Sequence, residues 1–100
     1  MKEIKEIFQK NVFNKRITVI GLGLSGKAVS ILANHLGAIV YASDSGSSEE
    51  ITSNATELMH QHHIALETGI HSSKIYDSDL WIISPGVSAD SKIVNEAIKK

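Results

Sequence analysis

The sequence predicts an α/β fold, a doubly wound parallel sheet of about four strands in the order 3-2-1-4 with helices on both faces. Three observations lead there. Short β-branched or apolar runs recur over residues 17–20, 38–43, 64–67 and 80–83. Between the first three of these runs, apolar residues fall at helical spacing. A glycine-rich turn joins the first run to the first helical stretch. Strands that alternate with helices pair in parallel, because each crossover brings the chain back to the edge of the sheet where the last strand began.

At the start of the chain, Ile4, Ile7, Phe8 and Val12 recur at helical spacing, with Lys2, Glu3, Lys5 and Glu6 on the other faces. Residues 1–15 are read as an amphipathic helix and lead-in that covers one side of the core, and residues 16–100 as the domain proper. Ile17-Thr18-Val19-Ile20 is a strand closed by Gly21. From Ser25 onward Ala28, Val29, Leu32 and Leu36 form a helical stripe, with Gly37 placed to end it. A β-rich run from Ala38 ends at Asp44, and Ser45-Gly46-Ser47-Ser48 is a polar loop. Ser47 and Glu50 have the S-x-x-E spacing of a capping box, so a helix carrying Ile51, Ala55, Leu58 and Met59 starts near Glu49.

Ile64 to Glu67 is the third strand, and Gly69 to Ser78 is a connector with room for one helical turn. Leu80-Trp81-Ile82-Ile83 is an unbroken apolar run, as expected of a strand covered on both faces, and Ser84-Pro85-Gly86 stops it. Ser88 or Asp90 can then cap a last helix with Ile93, Val94, Ala97 and Ile98. Sheets of this kind commonly carry five or six strands, so the chain reads as part of a longer protein.

Composition narrows the function. A chain of 100 residues with 42% apolar residues suits a single domain. Its net charge of −1 and pI near 6.5 argue against nucleic-acid binding, which normally brings a pI above about 9. The absence of cysteine excludes disulfides, a thiol nucleophile and Cys-ligated zinc, and fits a reducing cytoplasm. No apolar run approaches the roughly 18–20 residues that span a bilayer, and the first ten residues have no signal-peptide core. The expectation is a cytoplasmic protein with neither membrane nor nucleic acid as partner.

Gly21-Leu22-Gly23-Leu24-Ser25-Gly26 is G-x-G-x-x-G directly after a strand and opening a helix. The first glycine permits the turn, the second lets a phosphate approach the backbone, and the third lets helix and strand pack closely. Free amides at the helix start then face the anion. Asp44, ending the second strand at about the expected distance, is placed to accept hydrogen bonds from a ribose or a base. These features together describe a Rossmann-like nucleotide site.

Gly21, Gly26 and Lys27 also stand at G-x-x-x-x-G-K spacing, but Ala28 replaces the Ser or Thr that would hold Mg²⁺, so ATP hydrolysis at this loop is not expected and Lys27 is read as solvent-facing. Ser84, Pro85 and Gly86 fall at the same carboxyl edge of the sheet, beside the change in strand order where ligands of such folds bind. His60, His62 and His63 lack the partners that would complete a metal site, and no nucleophile–base pair is evident, so neither metal ligands nor catalytic residues are assigned.

Ile20 to Gly26, the Ser43-Asp44 pair, Gly69-Ile70-His71 and Asp79-Leu80 running into Ser84-Pro85-Gly86-Val87 resemble the amino-terminal domain of the Mur ligases, in particular the branch that adds D-glutamate. The resemblance spans residues 16–100. It implies a domain that binds the UDP part of UDP-N-acetylmuramoyl-L-alanine, followed in the full-length enzyme by a central domain that binds ATP and Mg²⁺ and a carboxy-terminal domain that brings the amino acid. No cofactor is implied for the present residues.

By position, the resemblance makes Leu24 and Ser25 the diphosphate turn among Gly21, Gly23 and Gly26, Asp44 and Ser45 the uracil side, and Ser84, Pro85 and Gly86 the loop closing over the nucleotide. Relatives often carry Arg or Lys just after the Asp, where Ser45 to Ser48 offer no cation. The residues by themselves also fit an NAD-binding dehydrogenase domain or a nucleotide-sensing module; a dinucleotide site has no particular need of the S-P-G-V segment.

Overall fold

The computed structural model describes residues 12–84. Its elements are β1 (Arg16–Ile20), α1 (Leu24–His35), β2 (Ile39–Asp44), α2 (Glu49–His62), β3 (Ala65–Thr68), a 3-10 turn (Ser73–Tyr76) and β4 (Leu80–Ile83). All strand pairs are parallel, in the order β3-β2-β1-β4. This is the expected topology. The helices expected before residue 12 and after residue 87 lie outside the described residues, as do Pro85 and Gly86.

The register divides the side chains of the sheet between two faces, since neighbouring residues along a strand point opposite ways. Ile17 and Val19 of β1 stand level with Val40 and Ala42 of β2 and lie in the core cluster with Ala33, Leu36, Ala55 and Leu58 of the helical segments. Both described helices therefore cover this face, packed against each other. Leu58 is fully buried there, and trimming it to Ala is expected to cost about 2–5 kcal/mol.

On the opposite face Thr18 donates its hydroxyl to the Ile75 carbonyl (3.0 Å), and the Trp81 indole N–H donates to the same oxygen (2.7 Å). The β3–β4 connection thus crosses on the second face, covering it with a 3-10 turn rather than a full helix. Right-handed crossovers require this change of face, because the chain reverses its direction across the sheet after β3.

Several local expectations shift. The third strand begins one residue later than read, because the Ile64 amide is still used by the Leu58 carbonyl at the end of α2 (3.1 Å). Ser48, not Ser47, caps α2: its backbone is extended and its hydroxyl accepts the Ile51 amide at 3.3 Å. β4 is half-buried rather than enclosed, with Leu80 44% and Ile83 39% exposed, since it is an outer strand among the described residues.

Candidate functional site

Three loops meet at the carboxyl edge of β1, β2 and β3. The first is the glycine turn. Gly21 takes φ of 100°, which side chains disfavour, and its amide donates to the Ser43 carbonyl at 2.8 Å, fastening the turn to the end of β2. A Cβ on Gly26 would stand 1.8 Å from the Gly21 carbonyl oxygen, so this glycine is fixed by the close approach of helix and strand. Gly23 is different: a Cβ there would meet no atom within 4 Å, and its φ of −68° suits any residue.

The two helix starts differ in one respect that matters for ligands. The first amides of any α-helix have no intrahelical partner. At α2 the Ser48 hydroxyl caps them, and Glu49 and Glu50 place negative charge in the first turn. At α1 the capping position is Gly23, with no side-chain cap, and the first turn holds no acidic residue. Among the described residues no side chain caps the first amides of α1, and Leu24 and Ser25 beside them are exposed.

The second loop follows β2. Asp44 accepts the Leu22 amide through Oδ2 and the Gly46 amide through Oδ1, each at 2.7 Å. The sequence reading places this carboxylate to accept hydrogen bonds from a ribose or a base; in the structure it holds the glycine turn against its own loop. Each oxygen keeps a further lone pair, so contact with a ligand remains chemically open. Ser45 beside it is exposed.

The third loop follows β3. Gly69, at φ of 80°, donates its amide to the carbonyls of Asp44 (2.9 Å) and Gly46 (3.0 Å). Behind it lies a polar cluster that the sequence did not reveal. Glu67 accepts from the Tyr41 hydroxyl (2.6 Å), the Ser43 hydroxyl (2.7 Å) and both the amide and hydroxyl of Ser72. Partial burial works to raise the Glu67 pKa, but these donors outweigh it and hold the value at about 2. Burial, together with the Glu67 hydrogen bond and charge, pushes Tyr41 up to about 12. His71 Nδ1 lies 2.7 Å from Ser43 Oγ. The signal that could have found this cluster is strand register, which sets Ser43 level with Glu67.

Ser84 sits at the end of β4, its amide donating to the Ile20 carbonyl at 2.8 Å, so it shares the carboxyl edge with the glycine turn. Lys27 corrects the sequence reading. It is largely covered and its Nζ pairs with Glu57 of α2 at 3.0 Å, so it braces the two helices. Asn54 adds to this brace by donating to the Leu22 carbonyl at 2.8 Å. With Lys27 engaged and Ala at position 28, the loop does not fit ATP with Mg²⁺.

Among the described residues no group of His, Asp or Glu is arranged to hold a metal ion, and no helix is long and apolar enough to cross a membrane. A cavity of about 340 Å³ opens at the opposite, amino edge of the sheet, lined by Thr18, Ile39, Tyr41, Lys74 and the Arg16–Asp77 ion pair (2.8 Å).

Comparison with known proteins places the chain in a family. A family model described as the MurD N-terminal domain matches residues 16–93. UDP-N-acetylmuramoylalanine–D-glutamate ligase of Chlorobium chlorochromatii is 36% identical over 86 residues, covering 86% of this chain and 18% of the relative. The ligases of the same name from Koribacter versatilis and Streptococcus sanguinis are 37% and 34% identical, each over 90% of this chain and 20% of their own length. The chain thus spans about a fifth of the curated relatives it matches.

Proposed function

Since the chain belongs to the MurD N-terminal domain family, we propose that it binds UDP-N-acetylmuramoyl-L-alanine for an ATP-dependent ligase that adds D-glutamate in cytoplasmic peptidoglycan precursor synthesis. The observation that carries the reading is the uncapped start of α1, set where strand order changes between β2-β1 and β4. An anion of the size of a diphosphate satisfies amides that no side chain caps among the described residues, and the positive end of the helix dipole favours it.

In this account the amides of Leu24 and Ser25, with the Ser25 hydroxyl, receive the diphosphate, and Gly23 keeps their approach clear. Asp44 and Ser45 face the nucleoside. Ser84, at the end of β4, flanks the other side. The residues described here supply binding and orientation only. ATP, Mg²⁺ and the acyl-phosphate chemistry belong to a central domain of the full-length enzyme, and D-glutamate to a carboxy-terminal one.

A thermal-shift comparison of UDP-N-acetylmuramoyl-L-alanine, UDP, NAD and ATP tests the proposal, because selective binding stabilises the fold by linkage. The expected result is a rise in Tm with the two uridine compounds alone. A rise with NAD and none with UDP compounds would assign the site to a dinucleotide instead.

A further inference from the structure

The Glu67 cluster has more order than a fold-stabilising contact requires. An ionised carboxylate only accepts hydrogen bonds, so the single proton of Ser43 Oγ points at Glu67 (2.7 Å). Ser43 can then offer His71 only an oxygen lone pair, and the 2.7 Å contact to Nδ1 must be an N–H donated by the ring. In neutral His71 the other nitrogen, Nε2, therefore carries no proton and is a hydrogen-bond acceptor. Nε2 has no partner among the described residues, and the ring is only partly covered. The loop that carries it is tied by Gly69 to Asp44 and Gly46, on the nucleoside side of the proposed site. Ser43 itself is fully buried, which excludes it as a nucleophile.

We propose that His71 contacts the nucleoside end of the ligand, accepting a hydrogen bond at Nε2, and that Glu67, acting through Ser43, is the positioning residue that fixes the tautomer. The inference rests on the uridine-diphosphate reading of the site. The donor is a ribose hydroxyl or the imide N–H of the base, both of which offer hydrogen to an acceptor lone pair. The ionisable groups on the surrounding elements are Glu67 of β3, Tyr41 and Asp44 of β2 and Lys74 of the 3-10 turn. Glu67 at about 2 and Tyr41 at about 12 keep their protonation states between pH 5.5 and 8.

The test is calorimetric titration of the chain with UDP-N-acetylmuramoyl-L-alanine at pH 8. His71→Ala is expected to bind about five- to 150-fold more weakly at pH 8, the range for a lost hydrogen-bond partner. Glu67→Ala removes the acceptor that orients the Ser43 proton, so Ser43 can donate to Nδ1 instead, and with its fold verified by a melting curve the variant is expected to show a loss in the same direction. The double variant should then bind no more weakly than His71→Ala. At pH 8, 2′,3′-dideoxy-UDP and N3-methyl-UDP identify the donor: the analogue that binds wild type and His71→Ala equally is the one lacking it.

Wild-type affinity retained in His71→Ala would overturn the contact while leaving the site reading in place. A gap between wild type and His71→Ala that persists with both analogues would do the same. Additive losses in the double variant would overturn the positioning role of Glu67. Failure of wild type to bind any uridine compound would overturn the site reading itself, and this inference with it.

Discussion

Asp44 Oδ2 accepts the amide of Leu22 at 2.7 Å, across 22 residues of chain. The bond ties the glycine turn after β1 to the loop after β2, and the Gly46 amide on Oδ1 completes the tie. One carboxylate thus shapes two of the three loops at the proposed ligand edge.

Asp44→Ala is therefore expected to lower stability as well as ligand affinity. It removes the acceptor of two backbone amides, a loss of about 1–3 kcal/mol in the free protein. Urea unfolding of the variant without ligand measures this, and unchanged stability would mean that the amides find other acceptors at no cost.

Gly26→Ala and Gly23→Ala separate packing from binding. A Cβ at 1.8 Å from the Gly21 carbonyl forces helix and strand apart, at an expected cost of about 3 kcal/mol. Gly23→Ala has free space and an ordinary φ, so its Tm should match wild type while UDP-ligand affinity falls. Melting curves and titrations of both variants check the pair.

Glu67 links stability to acidity. Its pKa falls from an ordinary 4.5 to about 2 in the fold, so the native state favours the ionised form. That contribution is complete above about pH 5 and is lost as pH falls through 4.5 toward 2. Glu67→Gln should be less stable than wild type at pH 7 by about 1–3 kcal/mol, as for hydrogen bonds to a charged group, and the gap should close toward pH 2. Denaturant curves at pH 7, 4 and 2 follow it.

Lys27→Ala should cost only about 0.5–1 kcal/mol, since the Lys27–Glu57 pair lies near the surface, with 22% and 34% of the two side chains exposed. Its affinity for UDP ligands should stay within about twofold, because Nζ faces α2. A double-mutant cycle with Glu57→Ala measures the pair directly.

Strand order, the glycine turn and the start of α2 were legible because periodicity and turn chemistry are local. What was not legible depended on distance or on neighbouring equivalents. Ser47 and Ser48 both precede Glu49 and Glu50, and only backbone geometry decides which of them caps. Lys27 meets Glu57 from another helix, 30 residues away, so a charge that looked solvated is largely covered. Glu67, Ser43 and His71 sit on two strands and a loop and meet only once β2 and β3 take their register. Asp44 was recognised by position, but its commitment to Leu22 required the fold of the turn it holds.

The central claim, that the uncapped start of α1 receives the diphosphate, is tested most directly by amide chemical shifts during titration with UDP-N-acetylmuramoyl-L-alanine. The account predicts the largest changes at Gly23, Leu24, Ser25 and Gly26, with the capped start of α2 at Glu49 to Ile51 unmoved. Saturable changes confined to the opposite edge of the sheet, around Arg16, Thr18 and Lys74, would contradict it.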